Sequence, residues 1–138
     1  MLRRELVLGL AAMGLSLAIF GATGAPVMAQ EHTKDTVATV KENVAAKKAV
    51  ILDVREKSEW DAGHLAAASL LPLSKIKEGA DLKSALKDLK PGTIVYCHCR
   101  AGRRALEAAD ALKKQGFDAR ALKPGFEELV KEGLEKAK

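Results

Sequence analysis

The chain has 138 residues, with 23 basic against 18 acidic side chains and aromatic residues at only 4%. A net charge of +5 spread along lysine-dotted helical faces, with so few aromatics, argues for small anionic ligands and against nucleic acid as a partner. Two cysteines in alternate positions, Cys97 and Cys99, exclude a disulfide framework.

Residues 1–29 read as a secretory signal peptide. Arg3 and Arg4 precede an apolar run, residues 6–25, that holds no ionisable side chain, and Val27-Met28-Ala29 fits the small-x-small preference for cleavage after Ala29. A run of this length also fits a membrane anchor, and the arginine pair leaves a twin-arginine leader open. The expected location is the periplasm, with the membrane involved only during export, or alternatively as an anchor holding the protein on the periplasmic side.

Residues 30–35 are expected to be a polar, flexible lead-in, and residues 36–138 a single domain large enough for one hydrophobic core. Val37, Val40 and Val44 recur at helical spacing after Thr36. Ala49-Val50-Ile51-Leu52 predicts a buried strand ending at Asp53. Ser58 is placed to cap a brief helix through Ala62, which Gly63 ends. Leu70-Leu71-Pro72-Leu73 predicts a short edge strand. Leu82, Ala85, Leu86 and Leu89 mark a helix closed by Pro91-Gly92. Residues 93–97 give the clearest strand. Ala105, Leu106, Ala109 and Leu112 mark a helix stopping at Gly116, residues 118–122 a last strand, and residues 126–136 a closing helix. Strands alternating with helices imply an α/β fold, a parallel sheet covered on both faces, with ligands at the carboxyl ends of the strands.

Cys99-Arg100-Ala101-Gly102-Arg103-Arg104 occupies that position, running from a strand into a helix. So little chain must curl back on itself, and Gly102 fits a point where positive φ is needed. In such a curl successive N–H groups point inward as an anion nest, and the helix adds its positive end. A thiol at the centre is expected to ionise readily. Cys97, inside the strand, is expected to be structural. Metal binding is not expected, because Cys97-His98-Cys99 has only His32 and His64 as further histidines and a structural zinc site needs four ligands. A Cys97–Cys99 disulfide would close a very small, strained ring. A tyrosine-phosphatase-like pattern, cysteine then five residues then arginine, fails by one position, because counting from Cys99 reaches Ala105.

The six-residue loop from Cys99 to Arg104 resembles the active-site loop of the rhodanese-like sulfurtransferases. Leu52-Asp53-Val54-Arg55-Glu56 is similar to that family's first-strand motif, and Gly63-His64-Leu65 with Leu71-Pro72 to its following segment. The chain departs from the family at Ala67, where glycine is usual, and at Pro124-Gly125-Phe126, where Gly-Gly-Trp is usual. The resemblance implies a five-stranded parallel sheet flanked by helices, in a single domain. It also implies a thiosulfate sulfurtransferase: Cys99 takes the outer sulfur of thiosulfate as a persulfide and passes it to cyanide or a thiol, without metal or cofactor. Arg100, Ala101, Gly102, Arg103 and Arg104 would hold the substrate, with Arg104 facing inward and Asp53 possible as an accessory beneath the loop. The alternatives are a persulfide carrier with little thiosulfate turnover and, less favoured, a phosphatase or arsenate reductase of the same fold. Blander roles are expected for His64 (a backbone hydrogen bond), Arg55 and Glu56 (ion pairing), Trp60 (core packing) and His98 (structure).

Overall fold

The computed structural model describes residues 31–138, so the segment read as a signal peptide lies outside the described residues. The aliphatic runs form the expected strands. These are β1 (Ala49–Asp53), β2 (Ala68–Leu70), β3 (Ile94–His98) and β4 (Asp118–Ala121), all parallel, in the order β2-β1-β3-β4. In β1 and β3 almost every side chain is buried, as a strand covered on both faces requires. Strand alternation sends Leu52 and Cys97 to one face and Ile51 and Tyr96 to the other.

Helices α3 (Leu73–Lys77), α4 (Leu82–Ala85) and α5 (Arg103–Lys114) cover the first face. Ala105, Ala108, Ala109 and Leu112 of α5 pack there on Val95 and Cys97. Helices α1 (Val37–Ala45) and α6 (Phe126–Lys131) cover the second, where Val40 and Leu129 meet Ile51 and Tyr96. The remaining helix, α2 (Lys57–Ala62), contributes no buried side chain. Among the described residues no helix is long and apolar enough to cross a membrane.

The sheet has four strands among the described residues, where the family resemblance implied five. At the free edge of β4 the segment of residues 31–36 passes instead, without strand geometry. It is tied there by the Thr33 N–H, which donates to the Ala121 carbonyl at 2.8 Å.

Other boundaries shift for local reasons. The strand predicted around Leu70 starts earlier and stops before Pro72, which has no N–H to donate and opens α3 instead. The α2 N-cap is Glu56, not Ser58, because Glu56 and Glu59 form a reciprocal capping box. The closing helix ends at Lys131, and Gly133 at φ +102° turns the tail back to pair beside Leu65. Trp60 is half-buried and stacks on the His64 ring at 3.6 Å instead of entering the core. An indole packs there without burial because α2 lies outside both apolar clusters.

From β1 the chain goes outward to β2, then returns across β1 to β3. The crevice between the ends of β1 and β3 is therefore the switch point where open α/β sheets bind ligands. Asp53 ends β1 and Cys99 follows β3.

Candidate active site

Between His98, the last residue of β3, and Arg103, the first of α5, the chain has four residues in which to reverse direction. Gly102 makes this possible at φ +90° and ψ −16°, a conformation that a side chain would strain. Space forbids a side chain as well: a Cβ there would lie 2.7 Å from Nε2 of His32 and 3.0 Å from the Lys123 carbonyl oxygen. The turn aims the Gly102 N–H back at the nucleophile candidate, and it donates to Cys99 Sγ at 3.0 Å.

Gly102 is also the N-cap of α5 and brings no side-chain oxygen to occupy the first turn. The first intrahelical bond runs from the Leu106 N–H to the Gly102 carbonyl. The N–H groups of residues 103–105 thus have no intrahelical acceptor, and together with the helix dipole they favour an anion at the loop. Cys99 itself is 1% exposed. Cys97, two residues earlier, lies fully inside the first core layer, and burial pushes its thiol up to about 12. Among the described residues, then, Cys99 alone of the two cysteines has a backbone donor on its sulfur.

Beside the last residue of β3 lies an ion pair. Asp53 is fully buried and accepts the Arg55 backbone N–H at 3.0 Å and Arg55 Nη2 at 2.7 Å. The same Nη2 donates to the Gly63 carbonyl at 2.7 Å, and the guanidinium sits 4.6 Å above the Phe126 ring. Arg55 therefore joins β1, the end of α2 and the start of α6. His98 is buried beside the pair, its Nε2 3.7 Å from Asp53 Oδ2 and without a hydrogen-bond partner. Its Nδ1 donates weakly, at 3.4 Å, to the Cys99 carbonyl. Burial holds the imidazole below the ordinary histidine range, so it is neutral at pH 7. Alternation along β3 puts His98 on the sheet face opposite Cys97, so it shapes the loop from behind.

The arginines divide by partner. Arg104, expected to face inward, grips Glu59 with both guanidinium ends at 2.7 and 2.9 Å. That contact holds the Glu59 carboxyl down at about 2 and pins the start of α5 to α2. Arg103 and Ala101 are exposed. Arg100 borders an open cleft of about 430 Å³ shared with Arg55, Gly63, Phe126 and Lys136. Arg100 and Lys136 are cationic side chains on that cleft, beside the carboxylates of Glu59, Glu127 and Glu128.

Sequence reading did not single out the turn between β4 and α6, although it flagged Pro124-Gly125-Phe126 as a departure. The Phe126 N–H donates to the Cys99 carbonyl at 3.1 Å, and a Cβ on Gly125 would overlap the carbonyl of Arg100. The signal was a glycine following proline just before a helix. Its role needed a contact across 25 residues of chain to become visible. Gly125→Ala is expected to destabilise the fold by about 1–3 kcal/mol, an overpacking cost, and to displace the loop. Urea denaturation, with backbone amide shifts of residues 99–104 compared between the two proteins, checks both effects.

In chemical terms the site offers one small buried thiol, a backbone N–H on its sulfur and, beside it, helix donors with no intrahelical acceptor. It suits a nucleophilic sulfur that handles a compact anion.

The family model described as the rhodanese-like domain matches residues 36–132. The "Probable adenylyltransferase/sulfurtransferase MoeZ" of Mycobacterium tuberculosis is 36% identical over 83 residues, covering 59% of this chain and 20% of that protein. The chain thus spans about a fifth of that relative's length. The "Uncharacterized protein YqhL" of Bacillus subtilis is 33% identical over 98 residues, covering 70% of this chain and 73% of that one. Among solved structures, a rhodanese-related protein of Thermoplasma volcanium superposes with a TM-score of 0.58 at 26% identity, covering 73% of this chain and 93% of that one.

Proposed function

This chain belongs to the rhodanese-like sulfurtransferase family, and on that premise we propose that it is a periplasmic thiosulfate sulfurtransferase with Cys99 as its nucleophile. The observation that carries the reading is the Gly102 N–H on Cys99 Sγ, at the mouth of a helix whose first-turn donors have no intrahelical acceptor.

The thiolate of Cys99, the reactive form of a cysteine, attacks the outer sulfur of thiosulfate. A new S–S bond forms, the bond to the sulfonate sulfur breaks, and its electron pair leaves with sulfite. Cys99 now carries a persulfide anion, one sulfur longer, whose charge falls among the amides of the loop and the first turn of α5. Cyanide or a thiolate then attacks the outer sulfur, leaves as thiocyanate or a new persulfide, and returns the Cys99 thiolate. No proton transfer is needed in either step, which suits a site whose neighbouring imidazole is neutral and turned to the other face of the sheet.

Arg100, at the edge of the cleft, is the loop arginine placed to attract and orient the dianion, with Arg103 adding to the local field. Arg104 acts on the substrate indirectly, through its grip on Glu59 and the position of α5.

Intact mass measured after thiosulfate treatment tests the proposal. The expected result is a gain of one sulfur, lost again on adding cyanide and mapped to Cys99. A mass that does not change disposes of the thiosulfate reading. A gain without steady-state sulfite release moves the assignment to a persulfide carrier. The same measurement on protein recovered from cells reports export: loss of residues 1–29 supports it, and an intact N-terminus in a membrane fraction favours the anchor.

A further inference from the structure

The lead-in ahead of α1 does more than join the domain to what precedes it. His32 is half-buried, and its Nε2 lies 2.9 Å from the carbonyl oxygen of Gly102, 70 residues away in the chain. A carbonyl oxygen only accepts, so Nε2 carries the proton and donates. Thr33, the next residue, is fastened to the edge of β4 by its N–H on the Ala121 carbonyl at 2.8 Å. Two residues on, the Asp35 carboxylate accepts the Tyr96 hydroxyl at 2.6 Å and Arg120 Nη1 at 2.8 Å. Asn43 of α1 donates to the same Tyr96 oxygen at 2.9 Å, so the hydroxyl is fixed from both sides.

We propose that residues 31–35 form a strap, anchored by Thr33 and Asp35, through which His32 acts as a positioning residue for the Cys99 loop. This rests on the sulfurtransferase reading for its effect on rate, though not for its geometry.

The argument turns on how Gly102 is held. Its carbonyl takes two donors, the Leu106 N–H at 3.3 Å and the His32 imidazole at 2.9 Å, while its own N–H reaches Cys99 Sγ at 3.0 Å. Glycine is the residue with the widest choice of backbone conformations, so at this position conformation has to be imposed from outside. The longer of the two carbonyl bonds comes from the helix itself; the shorter comes from the strap. Removing the imidazole frees one side of the Gly102 peptide and lets the amide drift from the sulfur. The hydrogen bond also polarises the 102–103 peptide and so strengthens the Arg103 N–H as a donor. Both effects act on the charge that Cys99 carries, on the proposed function, before and after it gains a sulfur, and neither involves the side chains of the cleft beside Arg100.

Two measurements on His32→Ala and His32→Gln test the strap. The first is amide hydrogen exchange at Gly102 by NMR, with no sulfur donor present. The alanine variant is expected to exchange about three- to tenfold faster at Gly102, the range of one neutral hydrogen bond. Glutamine, whose side-chain amide can also donate, should restore protection to within about twofold. The second is single-turnover sulfite release at saturating thiosulfate. The alanine variant is expected to be slower by a similar factor, with the half-saturating concentration and thermal midpoint near wild type, and glutamine again restoring the rate. Unchanged exchange at Gly102 in His32→Ala overturns the proposal, as does a glutamine variant no better than alanine. If wild-type protein releases no sulfite, the functional reading fails, and exchange at Gly102 alone decides the strap.

Discussion

Cys99→Ser is expected to lower steady-state sulfite release from thiosulfate by on the order of a thousandfold or more while leaving the fold intact. Serine is nearly isosteric, and its oxygen can take the Gly102 N–H that now rests on the sulfur. Stability should therefore change by less than about 1 kcal/mol, as for a conservative change that keeps its hydrogen bond. Reactivity is another matter. A hydroxyl needs a base to become a nucleophile at neutral pH, and among the described residues no base is hydrogen-bonded to the Cys99 sulfur: its one donor is the Gly102 N–H, while His98 donates Nδ1 to the Cys99 carbonyl and lies behind the loop. Nor can a serine oxygen hold a transferable sulfur as a persulfide. A serine variant that kept its sulfite release, measured beside an equal thermal midpoint, would remove Cys99 from the mechanism altogether. Cys97→Ser gives the contrasting case, since that thiol is buried in strand β3 and burial suppresses its ionisation.

The largest loss of stability is expected from Asp53→Ala. The carboxylate is fully buried and Arg55 is 6% exposed, so deleting the acid leaves a largely buried guanidinium charge without its ionic partner. Breaking a buried pair from one side costs about 3–5 kcal/mol, which urea denaturation would register as a lower midpoint at an unchanged slope. Replacing both partners, as Asp53→Leu with Arg55→Met, should recover a good part of that loss, because the unpaired charge is then gone. Recovery of stability without recovery of activity would mean that Arg55, through Gly63 and Phe126, aligns the loop as well as the sheet. A single Asp53→Ala variant as stable as wild type would contradict the pair's structural weight.

What could be read in the sequence was local. The strand around Ile94 to Cys97 and the helix after it follow from an unbroken aliphatic run and a helical spacing of alanine and leucine, and both were placed nearly to the residue. Gly102 was legible because so few residues join a strand to a helix there that one of them must take positive φ. The site's supports were not legible, since each joins positions far apart in the chain. Arg104 reaches Glu59 across 45 residues, and His32 reaches Gly102 across 70. An arginine in a loop reads as a substrate ligand until its carboxylate partner is seen. Nor does periodicity tell a fifth strand from the non-strand segment found beside β4, which makes one backbone bond to that edge at Thr33. Trp60 misled for a related reason: size suggested the core, but its face is covered by the His64 ring instead.

The near-complete enclosure of Cys99 acts as a sieve. With 1% of its surface open, its sulfur is shielded from partners as broad as another protein's cysteine, so cross-linking of two molecules through this thiol is sterically disfavoured. Loading changes that balance, because the added atom extends the side chain by about 2 Å, one S–S bond. On the proposed function, the resting thiol is thereby screened from bulky oxidants, and the longer persulfide is the form that a larger acceptor is expected to reach.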